Sequence, residues 1–173
     1  VTGDETISRF PVPDLVGSFA EDLGVSRGEA RRMAKQVGYL SMQTEKFGVG
    51  LPEVYAAFKR APKLVSTLSS VIDDDNAIPA QIDDQFPADA LLARCIRILA
   101  RHPKLLAKLN NASNLRLAAS VIGNATLFGA DELNETSILL AALLANEIQS
   151  EYGWLGVDLL KRQPEVLVAM THL

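Results

Sequence analysis

The sequence predicts an all-α protein, a multi-helical bundle of short helices around one long buried helix in the C-terminal half. Apolar residues recur three and four positions apart in most segments, which is the spacing of a helix face. No segment alternates apolar and polar residues with the β-branched density typical of a strand. With 173 residues, of which 48% are hydrophobic, the chain is long enough to bury a full core.

Residues 15–40 form the most informative stretch, because they predict two short helices joined by a tight turn. Gly24 stands just past the first helix, and glycine is the usual residue where a helix ends in a left-handed conformation. Ser26 is placed to cap the second helix, with Glu29 three residues later as a capping box requires. The residues expected to face the core are Leu15, Val16, Phe19 and Leu23 in the first helix and Ala30, Met33, Ala34 and Val37 in the second.

The later helices are bounded mainly by proline and glycine. Pro52, Pro62 and Pro103 each open a predicted helix, since the missing N–H of proline needs no partner in a first turn. The longest predicted helix carries few polar residues in its middle and should bury Leu140 and Leu144. The predicted helices cover residues 13–23, 27–40, 52–60, 62–72, 88–101, a short stretch from 103, 114–122, 130–152, 154–162 and a last stretch from 164.

An acidic, proline-bearing segment at residues 71–87 is the one clear break in composition. It divides the chain into an N-terminal helical part (1–72), an acidic linker or loop (73–87) and a C-terminal helical bundle (88–173). Residues 1–70 carry 9 Lys and Arg against 8 Asp and Glu, whereas residues 71–173 carry 8 against 13. Any nucleic-acid-binding face is therefore expected in the N-terminal part.

The chain also contains weak internal repeats. Residues 23–40 align without gaps with residues 47–64. A second repeat is a corner between two helices, in which an arginine, one variable residue and a proline follow one another; it ends at Pro62, at Pro103 and more loosely at Pro164. These units resemble the repeats of the mitochondrial transcription termination factor family, which bind nucleic acid along a helical solenoid. Intervals of 41 and 61 residues between the prolines are not a regular solenoid period. The sequence therefore predicts paired short helices.

Residues 15–40 resemble a bacterial helix-turn-helix segment, whose second helix enters the DNA major groove. The resemblance implies that Arg27 and Arg31 face base edges and that Arg32 or Lys35 contacts phosphate. Gly28 inside the second helix and the negative charge of Glu29 favour the alternative, an ordinary helical corner. The residues that carry the resemblance are Phe19, Ala20, Leu23, Gly24, Val25, Ala30 and Met33.

Enzymatic, metal and cofactor sites are not expected. Cys95 is the only cysteine, so the chain has no internal disulfide and no Cys-based zinc site. His102 and His172 have no nucleophile or carboxylate at a motif spacing. His102 should be a surface residue of the corner before Pro103. The acidic run lacks the turn glycine of a calcium loop.

The class of function that these features favour is a helical protein–protein interaction or regulatory module, with Tyr152 and Trp154 as candidate partner-binding residues. The alternative is a DNA-binding helix-turn-helix regulator that reads the major groove with the helix starting near Arg27. A net charge of −4 argues against coating of nucleic acid or an anionic membrane. The single cysteine favours an intracellular compartment, and a targeting sequence upstream of Val1 and the oligomeric state stay open.

Overall fold

The computed structural model describes residues 12–73, 87–129 and 135–152. Within these ranges the chain forms eight α-helices, one 3-10 turn and no strand, which confirms the all-α prediction. The helices are α1 (Val12–Leu23), α2 (Arg27–Thr44), α3 (Leu51–Arg60), α4 (Pro62–Ile72), α5 (Ala88–Arg101), α6 (Pro103–Leu109), α7 (Leu115–Gly129) and α8 (Glu135–Tyr152), and the 3-10 turn is Glu45–Phe47.

The turn between α1 and α2 follows the sequence prediction closely. Gly24 has a φ of 65°, in the left-handed region that glycine enters without steric cost. The Ser26 hydroxyl accepts the N–H of Glu29 at 3.2 Å, which satisfies one of the free donors of the first turn. Helix α2 continues four residues beyond the predicted end, to Thr44, and the 3-10 turn after it ends at its C-terminal cap, Gly48, which has a φ of 86°.

The repeated proline corners share one backbone conformation. Ala61 lies between α3 and α4 with φ −145° and ψ 66°, and His102 lies between α5 and α6 with φ −129° and ψ 66°. Each residue ends one helix and precedes the proline that begins the next. The third corner, at Pro164, lies outside the described residues. The sequence repeat therefore reflects a shared way of turning between packed helices.

One hydrophobic core joins helices from both sides of the acidic segment. Helix α4 packs against α7, and α3 packs against α5. The division of the chain into separate parts stays a prediction, because residues 74–86 lie outside the described ranges. The largest fully buried side chains are Phe19, Phe58, Leu15, Leu64, Leu68, Ile72, Leu91, Ile96, Leu99, Leu106 and Leu109.

Helix α8 packs on α7 and α6. Residues 130–134, with which the predicted helix begins, lie outside the described residues. The prediction that Leu140 is buried is wrong, since this side chain is 37% exposed, and Leu144 is only partly buried. Residues 138–145 are all apolar, so their spacing does not identify the inner face. The structure buries Ile138 and Leu139 together with Ala141, Ala142 and Ala145. The three alanines permit close approach of a neighbouring helix.

Buried polar side chains are concentrated around α7 and α8. The Asn124 amide donates to the carbonyl of Ser120 at 2.8 Å. The Asn146 side chain accepts the N–H of Asn114, just before α7, at 2.7 Å. These hydrogen bonds offset the cost of burying amide groups. Although α8 is long and mostly apolar, no helix in the described ranges has the length and hydrophobicity needed to cross a membrane.

Candidate functional site

Helix α2 has one buried side and one exposed side. Its buried side chains are Ala30, Met33, Ala34, Val37, Leu40 and Thr44. Successive residues of an α-helix are rotated by about 100°, so the side opposite this stripe can be derived directly. We call that side the α2 outward face; it consists of Arg31, Arg32, Lys35, Tyr39 and Met42, all of which are exposed.

Two large apolar side chains lie at the C-terminal end of the α2 outward face. Tyr39 and Met42 are each 66% exposed, and in the described part of the chain the only other large hydrophobic residue that is exposed is Leu140. Residues three positions apart on a helix are neighbours, so the two side chains form one patch. Single exposed apolar residues are common, but a contiguous patch is typical of an interaction site.

Positive charge lies at the N-terminal end of α2. The helix carries four Lys and Arg residues and a single carboxylate, Glu29, and all four predicted cations are exposed. Arg32 forms an ion pair with Glu29, and this hydrogen bond raises the pKa of Arg32. Among the described residues, no ion pair engages Arg27, Arg31 or Lys35. These three cations therefore remain available to a partner.

Carboxylates surround the start of α2. Glu21 and Asp22 are exposed at the end of α1, and Glu29 lies in the first turn of α2. Asp22 accepts a hydrogen bond from the Tyr55 hydroxyl at 2.8 Å and lies 3.8 Å from the Lys59 ammonium group. A DNA-reading helix would insert this end into the major groove, where these negative charges would oppose phosphate.

The C-terminal end of α2 is held against α5. The guanidinium of Arg97 donates to the carbonyl of Phe47 at 3.3 Å. Asp89 accepts a hydrogen bond from the Gln43 amide at 3.4 Å and lies 4.0 Å from the Lys46 ammonium group. Because its inner side is packed and its end is anchored, α2 presents Tyr39 and Met42 on a rigid support.

A groove of about 460 Å³ lies between α2, α4 and the start of α7. The nearly buried side chains of Met33 and Phe58 line its bottom, and Leu115 also contributes to its lining. The exposed Arg32 and Lys63 lie at its rim. Arg32 thus belongs both to the groove and to the α2 outward face, and the two features are adjacent.

The described histidine and the cysteine are both engaged in the fold. His102 is half-buried, with Nε2 3.1 Å from a carboxylate oxygen of Glu135. It therefore links the corner between α5 and α6 to α8 and is not a free surface residue. Arg101 donates to the same carboxylate at 2.7 Å. Burial raises the pKa of the Cys95 thiol to about 12. In the described ranges, no group of three His, Cys, Asp or Glu side chains could hold a metal ion.

The predicted site residues fall into two groups. Arg27, Arg31, Arg32 and Lys35 come together on exposed sides of α2, whereas the side chains of Tyr152 and Trp154 lie outside the described part, so their role as partner anchors stays a prediction. Tyr39 and Met42 were not predicted as site residues, because the predicted second helix ended at Leu40 and did not include Met42. Their spacing of three, opposite the buried stripe, is the signal that identifies them.

No protein-family model, no curated protein and no solved structure matches this chain. Its function is therefore inferred from the side chains of this chain alone.

Proposed function

We propose that the protein is a non-enzymatic helical module that binds another protein through the α2 outward face. The observation that carries this proposal is the pair Tyr39 and Met42, each two-thirds exposed and one turn apart. Transfer of apolar surface from water into an interface is favourable by about 25 cal/mol per Å². Exposure of two such side chains on a well-packed helix is therefore readily explained by a partner that covers them.

The surroundings of the patch support the same function. Tyrosine, methionine and arginine are enriched in protein interfaces relative to the rest of a protein surface, and all three residue types occur on the α2 outward face. The adjacent groove, with Met33 and Phe58 at its bottom, offers a pocket for one apolar side chain of the partner. Energetic hot spots of interfaces commonly combine such a pocket with aromatic and arginine contacts.

Site-specific photo-crosslinking tests the proposal in cells of the source organism. A photoreactive amino acid replaces Met42, and the matched control places it at Lys104, an exposed residue of α6. We expect a discrete protein adduct from position 42 that is absent from position 104. The additional change Tyr39→Glu should abolish this adduct, because a charge in the patch would be buried against the partner.

The folded state of each variant is checked by thermal unfolding, since Tyr39 and Met42 are exposed and their replacement should leave stability nearly unchanged. Equal adducts from positions 42 and 104, or an adduct that persists in the Tyr39→Glu background, would contradict binding at this face. An adduct with nucleic acid in place of protein would support the second candidate function.

That second candidate is a DNA-binding regulator that reads the major groove with the helix starting near Arg27. It is favoured by the exposed cations Arg27, Arg31 and Lys35, which follow one another at intervals of four along α2. It is disfavoured by the carboxylates of Glu21, Asp22 and Glu29 around the end of α2 that would enter the groove. We therefore rank it below protein binding.

Gel-shift titration with random duplex DNA at two salt concentrations tests this alternative. A DNA reader should lose affinity steeply with salt, by a logarithmic slope of about 0.9 per neutralised phosphate. The double change Arg31→Ala and Arg32→Ala should then abolish the shift, whereas Tyr39→Ala should leave it unchanged. Under the protein-binding proposal, no duplex is bound at about 100 mM salt.

The absence of enzymatic activity and an intracellular location are parts of the same proposal. The pairing of His102 with Glu135 and the burial of Cys95 support a structural role for these two side chains. A single cysteine in 173 residues is typical of proteins in reducing compartments.

A further inference from the structure

We propose, on the basis of the proposed protein-binding function, that the partner of the α2 outward face is an acidic amphipathic helix. Such a helix would place carboxylates against Arg31 and Lys35 and apolar side chains against Tyr39 and Met42. Short amphipathic helices commonly bind grooves and faces of helical proteins through residues spaced three and four apart.

The charge of α2 selects an acidic partner. The whole chain has a net charge of −4, yet α2 carries four cations against one carboxylate. Glu29 compensates Arg32, and the face between Arg31 and Met42 contains no acidic residue. Complementary charge across an interface accelerates association and disfavours basic partners.

The order of residues along α2 determines the order required in the partner. Arg31 and Lys35 lie one turn apart at one end of the face, and Tyr39 and Met42 follow at the other end. The rise of about 1.5 Å per residue makes the stretch from Arg31 to Met42 about 16 Å long. A partner helix of about three turns therefore matches it, with its carboxylates at one end and its apolar residues at the other.

Duplex DNA fits this face less well than an acidic helix does. Tyr39 and Met42 occupy half of the face, and a phosphate backbone gains little from contact with an exposed Met42. A helix with both carboxylates and apolar side chains uses both halves of the face.

A designed peptide tests the inference whatever the identity of the natural partner. The probe is an alanine-based helix with two Glu residues four apart, followed by two Leu residues at the spacing of Tyr39 and Met42, prepared in both sequence directions. It is titrated into the isotope-labelled full chain and followed by amide chemical shifts. We expect saturable shifts confined to α2 and the groove beside it, which weaken as salt rises.

Two matched comparisons separate specific recognition from general adhesion. Replacement of the peptide Glu residues by Lys, or of its Leu residues by Ala, should weaken binding about tenfold or more. The protein variant Arg31→Glu with Lys35→Glu should show the reverse preference and bind the Lys peptide better than the Glu peptide. Equal binding of the Glu and Lys peptides, or no shifts on α2 with either direction of the Glu peptide, would overturn the inference.

Other occupants of the face give distinct results. Shifts on α2 that depend on protein concentration would identify a second copy of this chain. Shifts caused by duplex DNA but not by the peptide would identify nucleic acid. A third comparison changes Asp74, Asp75, Asp83 and Asp84 to Asn and records the spectrum without peptide. If the α2 amide shifts then differ from those of the unchanged protein, the occupant of the face is the chain's own acidic segment. Each of these outcomes overturns the inference, whereas a crosslinked partner that lacks an acidic helix refutes only the partner chemistry and leaves the protein-binding function intact.

Discussion

The N-terminal and C-terminal parts of the described chain have cores of different composition. Residues 12–73 build their core around aromatic rings, with the ring of Phe19 4.9 Å from Tyr55 and 5.8 Å from Phe58. Residues 87–129 and 135–152 pack mainly aliphatic and small side chains. Of the buried polar residues in the described ranges, they contain all except Thr44, namely Ser120, Asn124, Thr126, Ser137 and Asn146.

Helices α2 and α8, one from each part, show when the buried side of a helix can be predicted from its sequence. In α2, charged residues mark the outer side, and the inner stripe predicted from Ala30 to Val37 is correct. In α8, residues 138–145 are apolar on every side, and the predicted inner residue Leu140 proves to be exposed. Charged residues on the exposed side of a helix allow its buried side to be predicted from the sequence. A helix without such charges is oriented by packing against neighbouring helices.

The largest expected effect is in the aromatic core. Phe19→Ala should lower the free energy of unfolding by about 3–5 kcal/mol, because the fully buried ring leaves a cavity beside Tyr55 and Phe58. The matched control Tyr39→Ala, at an aromatic residue that is 66% exposed, should change it by at most about 0.5 kcal/mol. Urea unfolding followed by circular dichroism measures both, and similar losses would refute the assignment of the two rings to core and surface.

Two adjacent leucines test the orientation of α8. Leu139→Ala should cost about 2–5 kcal/mol, since Leu139 is fully buried. Leu140→Ala should cost distinctly less, about 1 kcal/mol or below, because its side chain is already partly in water. The same unfolding measurement decides between them. A larger loss at Leu140 would mean that α8 is rotated and that the periodic prediction was correct.

The buried amide of Asn146 tests the polar character of the C-terminal core. Asn146→Ala should cost about 1–3 kcal/mol, because the partly buried N–H of Asn114 loses the acceptor that now lies at 2.7 Å. Glu147→Ala, at the exposed neighbouring position, is the matched control and should be nearly neutral. An equally small effect at Asn146 would indicate that water replaces the lost acceptor.

The cap of α2 tests the support of the outward face. Ser26→Ala should destabilise the protein by about 1 kcal/mol, since the N–H of Glu29 loses its acceptor, whereas Ser26→Gly should cost only a few tenths. The comparison of Ala with Gly is informative because both remove the hydroxyl, yet glycine is tolerated at N-cap positions much better than alanine. If the two variants are equally stable, the cap contributes little.

A further effect is expected only at alkaline pH. Burial and the hydrogen bond to Asp22 raise the pKa of Tyr55 to about 12 from its ordinary value of 10. Between these values the unfolded chain loses the phenolic proton first, so this contribution to stability is present below about pH 10 and is lost as the pH rises toward 12. Tyr55→Phe should remove that part of the decline, measured as unfolding free energy at pH 9, 10 and 11. Parallel curves for the two proteins would show that Tyr55 titrates normally.

Much of the fold and part of the candidate site could be predicted from local chemistry. The left-handed Gly24, the cap at Ser26 and the prolines at helix starts each act within one turn of backbone, so their effects are visible in the sequence. Exposure of Arg31 and Lys35 likewise follows from their positions opposite an apolar stripe. Tyr39 and Met42 were missed, because their importance depends on how far α2 continues. It also depends on how the neighbouring helices pack, since that packing leaves both side chains exposed.

Helix type, most helix boundaries and the two-sided character of α2 were thus determined by the sequence itself, through residues that act on their own backbone or their own helix face. Three features were decided only by the tertiary structure. They are the inner side of α8, the pairing of His102 with Glu135, and the hydrogen bond between Asn146 and Asn114. Each of these joins residues more than thirty positions apart or chooses among equally apolar sides. Such choices depend on shape and distance between helices, which packing determines and local sequence patterns do not encode.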